Sequence, residues 1–208
     1  MLMRTPHRWV RPNRLQPPGF IRPALPVLAH RVPAGDGWIH ELKYDGFRIV
    51  ALKDGDTVRL WSRNGRNWSA DFLAITAAVM ALPVTRIALD GEAIAHCPEG
   101  LPDFHALLGR EGCARACLYA FDLLHVGVDD LRGLALIERR AMLRAHLKRA
   151  GAAIIYSEHL AGPDGEAMFR HACRMGLEGI VSKLGTSRYR SGRCASWVKV
   201  KNPAYERR

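Results

Sequence analysis

Residues 38–62, WIHELKYDGFRIVALKDGDTVRLWS, carry the architecture. Apolar and polar side chains alternate over 38–44 and again over 46–53, the period of a half-buried strand. Lys53-Asp54-Gly55-Asp56 supplies turn residues, and 57–62 alternates once more. Strands that follow one another through short turns pair antiparallel, because parallel neighbours need a long crossover. Working outward, Ser69 and Asp71 open a helical run that Pro83 closes after Leu82. Residues 86–95 alternate as a strand, 103–110 read as a short helix, and 116–124 form a near-continuous apolar strand buried on both faces. A basic amphipathic helix over 135–150 ends at Gly151, and a helix over 164–175 ends at Gly176. Strands are expected at 152–157, 179–183 and 196–200. The class is α+β, with antiparallel sheets flanked by helices rather than a doubly wound parallel sheet. Residues 1–37 are proline-rich, include Pro17-Pro18-Gly19, and read as an extended or partly disordered leader to one domain over 38–208.

Charge narrows the partner. Lys and Arg number 31 against 20 Asp and Glu, a net of +11. The excess lies at the ends: residues 1–22 carry five arginines and no acid, and residues 183–208 carry eight basic residues against one acid. The body between them is almost neutral. A polyanion rewards that segregation through counterion release, and two solvated tails are the alternative reading. No apolar run approaches the ~20 residues of a membrane span, and no apolar h-region marks a secretory signal. Five cysteines form no CxxC pair, which fits free thiols in a reducing cytosol. The nine histidines show no zinc-ligand spacing. Arg139, Arg140, Arg144, Lys148 and Arg149 read as a solvated helix face, with a DNA-facing stripe as the alternative.

Three strands carry charged pairs at a spacing of two: Glu41 with Lys43, Asp90 with Glu92, Lys199 with Lys201. Each pair shares one face of its strand and leaves small or apolar residues on the other. Solvated faces would account for each pair taken singly. Gly46 after Tyr44-Asp45, and Gly91 between Asp90 and Glu92, suggest bulges or a close backbone approach by a ligand. If the three faces line one cleft, two lysines suit a phosphate, two carboxylates suit a ribose hydroxyl or a metal ion, and Lys43 suits a nucleophile. Lysine attack on phosphorus gives a phosphoramidate and divides one hard step into two.

These residues fall into ordered segments that resemble the motifs of ATP-dependent DNA ligases. Glu41-Leu42-Lys43-Tyr44-Asp45-Gly46-Phe47-Arg48 is similar to the nucleophile motif, which RNA ligases and mRNA-capping guanylyltransferases share. Ser62-Arg63-Asn64-Gly65, Leu89-Asp90-Gly91-Glu92, Phe121-Asp122-Leu123-Leu124 and Leu177-Glu178-Gly179-Ile180-Val181-Ser182-Lys183 follow in the family's order. Arg193 and Trp197-Val198-Lys199-Val200-Lys201 resemble the last. The run as a whole resembles the adenylation domain of small bacterial ligases, including those of end-joining systems.

The resemblance implies a nucleotidyltransferase (ATP-grasp-like) fold with a nucleotide cleft between its sheets. It implies ATP as the source of AMP and Mg2+ (or Mn2+) as the metal. Lys43 becomes the adenylated residue; Glu41, with Leu42 beside it, meets the adenine; Arg48 and Glu92 hold the ribose; Phe121 stacks on the base, although its apolar strand would equally make it a core residue. Lys199 and Lys201 hold the α-phosphate, Arg193 contacts the nucleotide, and Arg63 meets the 5′-phosphate of a nick. Glu178, and Asp45 as a second candidate, bind the metal; Asp90 is structural or metal-adjacent. The implied substrate is nicked double-stranded DNA in a bacterial cytosol. Ligases of this class continue into an OB-fold domain, which needs roughly 70 to 100 residues. This sequence stops seven residues past Lys201, so the expectation is a catalytic core without that domain. Either the basic ends clamp DNA in its place, or a separate protein supplies the OB-fold or an end-bridging function. RNA ligation, capping-type guanylyl transfer and a non-catalytic nick-binding protein are the alternatives.

Overall fold

The three consecutive strands form where the alternation places them: β2 (Trp38–Leu42), β3 (Phe47–Asp54) and β4 (Thr57–Ser62), following β1 (Ala24–Leu28). The computed structural model describes residues 19–98 and 100–207. Then come α1 (Leu73–Met80), β5 (Arg86–Ile94), a 3-10 turn at His105–Leu108 and α2 (Arg110–Arg115). The remainder runs β6 (Cys117–Val126), β7 (Asp129–Asp130), α3 (Leu136–Leu147), β8 (Ile154–Tyr156), β9 (Leu160–Ala161), α4 (Gly165–Arg174), β10 (Gly179–Leu184) and β11 (Gly192–Lys201). One sheet has the order β1-β11-β10-β2-β9; the other runs β4-β3-β5-β6-β7, with β8 also on β6. Most pairings are antiparallel; β1 on β11 and β8 on β6 are parallel.

The leader over 1–37 therefore needs correction in its second half. Residues 24–28 are a strand of the first sheet, Ala24 opposite Gly192 and Leu28 opposite Lys199. Ile21 and Ala24 are core residues, so the expected boundary at residue 38 cuts through the sheet. Residues 1–18 lie outside the described ones, and with them most of the N-terminal basic cluster.

Three apolar layers result. Ile49, Ala51, Leu60 and Leu89 on one face of the second sheet pack with Ile75 and Val79 of α1 and Leu143 of α3. The opposite face, with Val50, Leu52 and Ala88, meets Ile39 and Trp197 of the first sheet. The outer face of the first sheet, with Ile180 and Val200, is covered by Ala172, Met168 and Phe169 of α4. Burying each large aliphatic side chain contributes about 1.5–3 kcal/mol, so both sheets are held from both sides.

The two glycines behave as the close approach requires, with protein as the neighbour. A Cβ at Gly46 would lie 2.2 Å from the Ala93 carbonyl oxygen, and one at Gly91 would lie 2.7 Å from Leu118 Cδ1. Two arginines of α3 overturn the solvated-face reading, whereas Arg144, Lys148 and Arg149 are exposed as expected. Arg139 and Arg140 are fully buried, because α3 packs against β6 and not along the surface. Arg139 binds Asp122 through two bonds of 2.7 Å and also donates to the Leu134 and Ser187 carbonyls. Burying charge is tolerated only with such saturation.

Candidate active site

Cross-strand partners point to the same side of a sheet. Glu41 of β2, Val181 of β10 and Lys199 of β11 lie in one register row, with Lys183 and Trp197 in the next. In the second sheet Arg48 of β3 stands opposite Glu92 of β5, and Val50 opposite Asp90. The two faces confront each other, and where the apolar inter-sheet layer ends they leave an open cleft. Glu41, Leu42, Lys43, Arg48, Glu92 and Phe121 all line it. Phe121 reaches it through a bulge: Asp90 pairs with Asp122 and Gly91 with Ala120, leaving Phe121 unpaired in the ladder. A bulge re-aims a side chain, and this one sends Phe121 into the inter-sheet layer beside Trp197. The ring is 7% exposed. Lys183 Nζ lies 3.9 Å from its centroid and the Arg48 guanidinium carbon 4.5 Å, so the ring is both a core residue and a cation-faced wall of the cleft.

Glu41 is 2% exposed and holds two cations. Arg140 donates to Oε1 at 2.6 Å and Lys183 to Oε2 at 2.7 Å. Burial, aided by Arg140, pulls Lys183 down to about 8, against the opposing pull of Glu41. On the facing wall, Asp90 is completely buried. It accepts from Arg48 at 2.6 and 2.8 Å and from the Tyr189 hydroxyl at 2.6 Å. Burial works against the Arg48 charge, but Asp90 outweighs it and holds the guanidinium above its ordinary range. Of the two readings of Asp90, structural and metal-adjacent, the bonds fit the structural one. Glu92 lies opposite Arg48; burial pushes its carboxyl up to about 7, while Arg48 and Lys43 pull the other way.

Lys43 follows the end of β2 and donates to Glu178 at 2.5 Å. Lys201 meets the other Glu178 oxygen at 2.9 Å. Burial, and then the like charges of Lys43, Lys201 and Arg63, hold Lys199 below the usual lysine range. Three lysines thus gather at the cleft mouth near one carboxylate. A second hollow, lined by Asp45, Leu101, Met175, Glu178 and Tyr205, adjoins Lys43 on its other side. Asp45 is engaged by the chain's own C-terminal segment: Arg207 donates to both oxygens at 2.6 and 2.7 Å, and the Tyr205 hydroxyl to one at 3.0 Å. Arg193 is exposed at the start of β11, opposite Leu25, away from the cleft lining. Arg63 is exposed in the turn after β4. Among the described residues no three His, Cys, Asp or Glu side chains converge as a metal cage.

The family model described as ATP dependent DNA ligase domain matches residues 26–201. The chain belongs to this family. Among curated ligase relatives it is similar to the multifunctional non-homologous end joining protein LigD of Pseudomonas aeruginosa, 39% identical over 188 residues; the match covers 88% of this chain and 22% of that protein. A probable DNA ligase of Sorangium cellulosum is 35% identical, over 88% of this chain and 38% of the relative. The chain spans about a fifth to two fifths of the length of these ligases. Among solved structures, a mycobacterial DNA ligase D complexed with ATP and MES superposes with a TM-score of 0.76 at 32% identity, over 86% of this chain and 59% of that one. The ligase domain of Mycobacterium tuberculosis LigD gives 0.73 at 32% identity, over 86% and 60%. The nucleotidyltransferase fold expected from the ligase motifs is the fold observed.

Lys183, Arg140, Tyr44 and Trp197 contribute to the site without having been assigned to it. Lys183 closes the ligase motif at 177–183, and its parity with Val181 on β10 is the signal it offers. Arg140 gave none, since its partner Glu41 is 99 residues away.

Proposed function

We propose that this chain is the catalytic core of an ATP-dependent DNA ligase acting on nicked duplex DNA in the bacterial cytosol. The observation that carries the reading is the convergence at Lys43: a cleft with Glu41, Arg48, Glu92 and Phe121 on one side, and the Glu178 carboxylate shared with Lys201 on the other. In the first step the Lys43 amine attacks the α-phosphorus of ATP, a P–N bond forms, the α–β P–O bond breaks and pyrophosphate leaves. In the second, an oxygen of the 5′-phosphate displaces the lysine and takes the AMP. In the third, the 3′-hydroxyl attacks that phosphate and AMP departs. Chemistry of this kind depends on positioning and charge neutralisation.

The residues divide that work. Glu178 holds the resting Lys43 by an ion pair and must give it up before attack. Lys199 and Lys201 stand where the α-phosphate charge develops. Arg48, locked by Asp90, has a fixed direction toward the sugar. The donor set fits a magnesium ion carried in on phosphate oxygens: Glu178 is the carboxylate within reach of the nucleophile, Asp45 is already bound by Arg207, and magnesium commonly uses one or two carboxylates plus substrate phosphates. Its chemistry is to offset phosphate charge. The test is sealing of a nicked duplex by the purified chain, begun once from ATP and once from pre-adenylated DNA. Sealing from both is expected, and failure from both refutes the reading.

A further inference from the structure

The segment after β11 lies past the last ligase motif, yet it grips the chain on both sides of the Lys43–Glu178 ion pair. Asn202 is buried and holds the Glu178 side: its amide donates to the Glu178 carbonyl at 2.9 Å, and its side-chain nitrogen to the Leu177 carbonyl at 3.1 Å. Its side-chain oxygen accepts from the Ala204 amide at 3.0 Å, which is an Asx turn. Its carbonyl accepts from the Tyr205 amide at 3.2 Å. The chain is thereby turned back along the hollow beside Lys43, which Tyr205 lines. On the Lys43 side, Tyr205 and Arg207 donate three bonds to Asp45. An ordinary surface ion pair would contribute little. Asp45, however, is 8% exposed, and Arg207 meets both of its oxygens, a two-pronged geometry that fixes direction. The guanidinium also lies 4.1 Å from the Phe104 ring centroid, and Phe104 packs on Phe47 at 5.4 Å. Arg207 is thus held by the ring as well as by the carboxylate.

The residues so gripped have little support of their own. β2 ends at Leu42 and β3 starts at Phe47, so residues 43–46 lie between ladders. The Lys43 amide donates to the Gly179 carbonyl at 2.9 Å, and Gly46 sits against Ala93; between these two points the segment after β11 ties down Asp45. We propose that Asn202, Tyr205 and Arg207 are positioning residues for adenylation: they form a brace from Glu178 to Asp45 that sets the Lys43 amine against the α-phosphorus. None of the three lines the nucleotide cleft, and each acts through Asp45 or the Glu178 backbone. A displacement of about 1 Å at the reacting atoms can slow a reaction by about 10²-fold. This rests on the reading of Lys43 as the adenylated residue.

The experiment is single-turnover adenylation of the full chain with magnesium and labelled ATP, over a range of ATP concentrations, beside thermal melting of each variant. Arg207→Ala should lower the rate at saturating ATP by about tenfold or more, with the half-saturating ATP concentration within about twofold of wild type. Arg207→Lys keeps the charge and should recover part of the loss. Tyr205→Phe keeps the ring and should lose about threefold or more. Glu206→Ala, exposed between them, should match the wild type. A contact that only stabilises the fold would lower the melting temperature and leave the saturating rate of the folded protein unchanged. A saturating rate within about twofold of wild type in Arg207→Ala, or a loss confined to ATP affinity, therefore overturns the proposal. Should Arg207→Ala fail to fold, Tyr205→Phe decides by the same criterion. A labelled wild type with an unaffected Arg207→Ala overturns the brace alone, whereas a wild type that takes no AMP on Lys43 overturns the reading of the nucleophile with it.

Discussion

Asp90→Asn removes one charge from the centre of the inter-sheet layer and exposes how the cleft is built. Asp90 is completely buried. It takes two bonds from Arg48, whose side chain is 14% exposed, and one from Tyr189. The Tyr189 hydroxyl in turn accepts from the Ala24 amide at 3.0 Å, which ties β1 to the same knot. An asparagine keeps the shape but leaves the Arg48 charge largely uncompensated. Breaking a buried pair in this way costs about 3–5 kcal/mol. For a chain of this size each kcal/mol lowers the melting temperature by about 2–4 °C. The expected drop is therefore roughly 6–20 °C. The internal control is Asp54→Asn, whose pair with Arg86 is 50% and 40% exposed; it should cost less than about 1 kcal/mol. Urea unfolding of the three proteins gives the difference, and hydrogen exchange should show the Ala24 amide losing protection in Asp90→Asn. A variant within about 1 kcal/mol of wild type, with Ala24 still protected, would refute the buttress argument.

Further outcomes follow from other contacts. Gly46→Ala places a methyl 2.2 Å from the Ala93 carbonyl oxygen and should cost about 1–3 kcal/mol by overpacking, read by the same unfolding curves. Glu178→Gln leaves Lys43 and Lys201 without their shared carboxylate; adenylation should slow by about 10²-fold or more while AMP affinity stays near wild type. Glu92 has its carboxyl raised from 4.5 to about 7 by burial, so the folded state binds more protons than the unfolded one between those values. Its stabilisation is complete below pH 4.5 and is lost as pH rises through 7. Glu92→Gln should therefore flatten the fall in unfolding free energy across that window, seen by denaturation at a series of pH values.

How much of this was legible in the sequence depended on distance along the chain. Strand parity sufficed to put Glu41 with Lys43 and Asp90 with Glu92 on shared strand faces, whereas the meeting of those faces depends on how the two sheets pack. It failed where the ladder is irregular: the bulge that frees Phe121 has no local signature, and only the pairing of Asp90 with Asp122 shows it. β1 escaped notice because it is short and proline-containing, and it pairs parallel with a strand some 170 residues later. Arg139 and Arg140 look like solvated charges until the helix is seated against β6, where Asp122 and Glu41 neutralise them. Asp45, expected near a metal, is drawn instead to Arg207 near the far end of the chain. Each miss is a partner that sequence separation hides, whereas the ligase motifs themselves are local strings.

Whether Lys43 carries the nucleotide can be read from one peptide. The purified chain is incubated with magnesium and ATP labelled at the α-phosphate, digested, and the modified peptide is sequenced by mass spectrometry. The account predicts an acid-labile AMP adduct on Lys43, absent from Lys43→Ala and released by added pyrophosphate. Label found on another residue, or retained by Lys43→Ala, would contradict it.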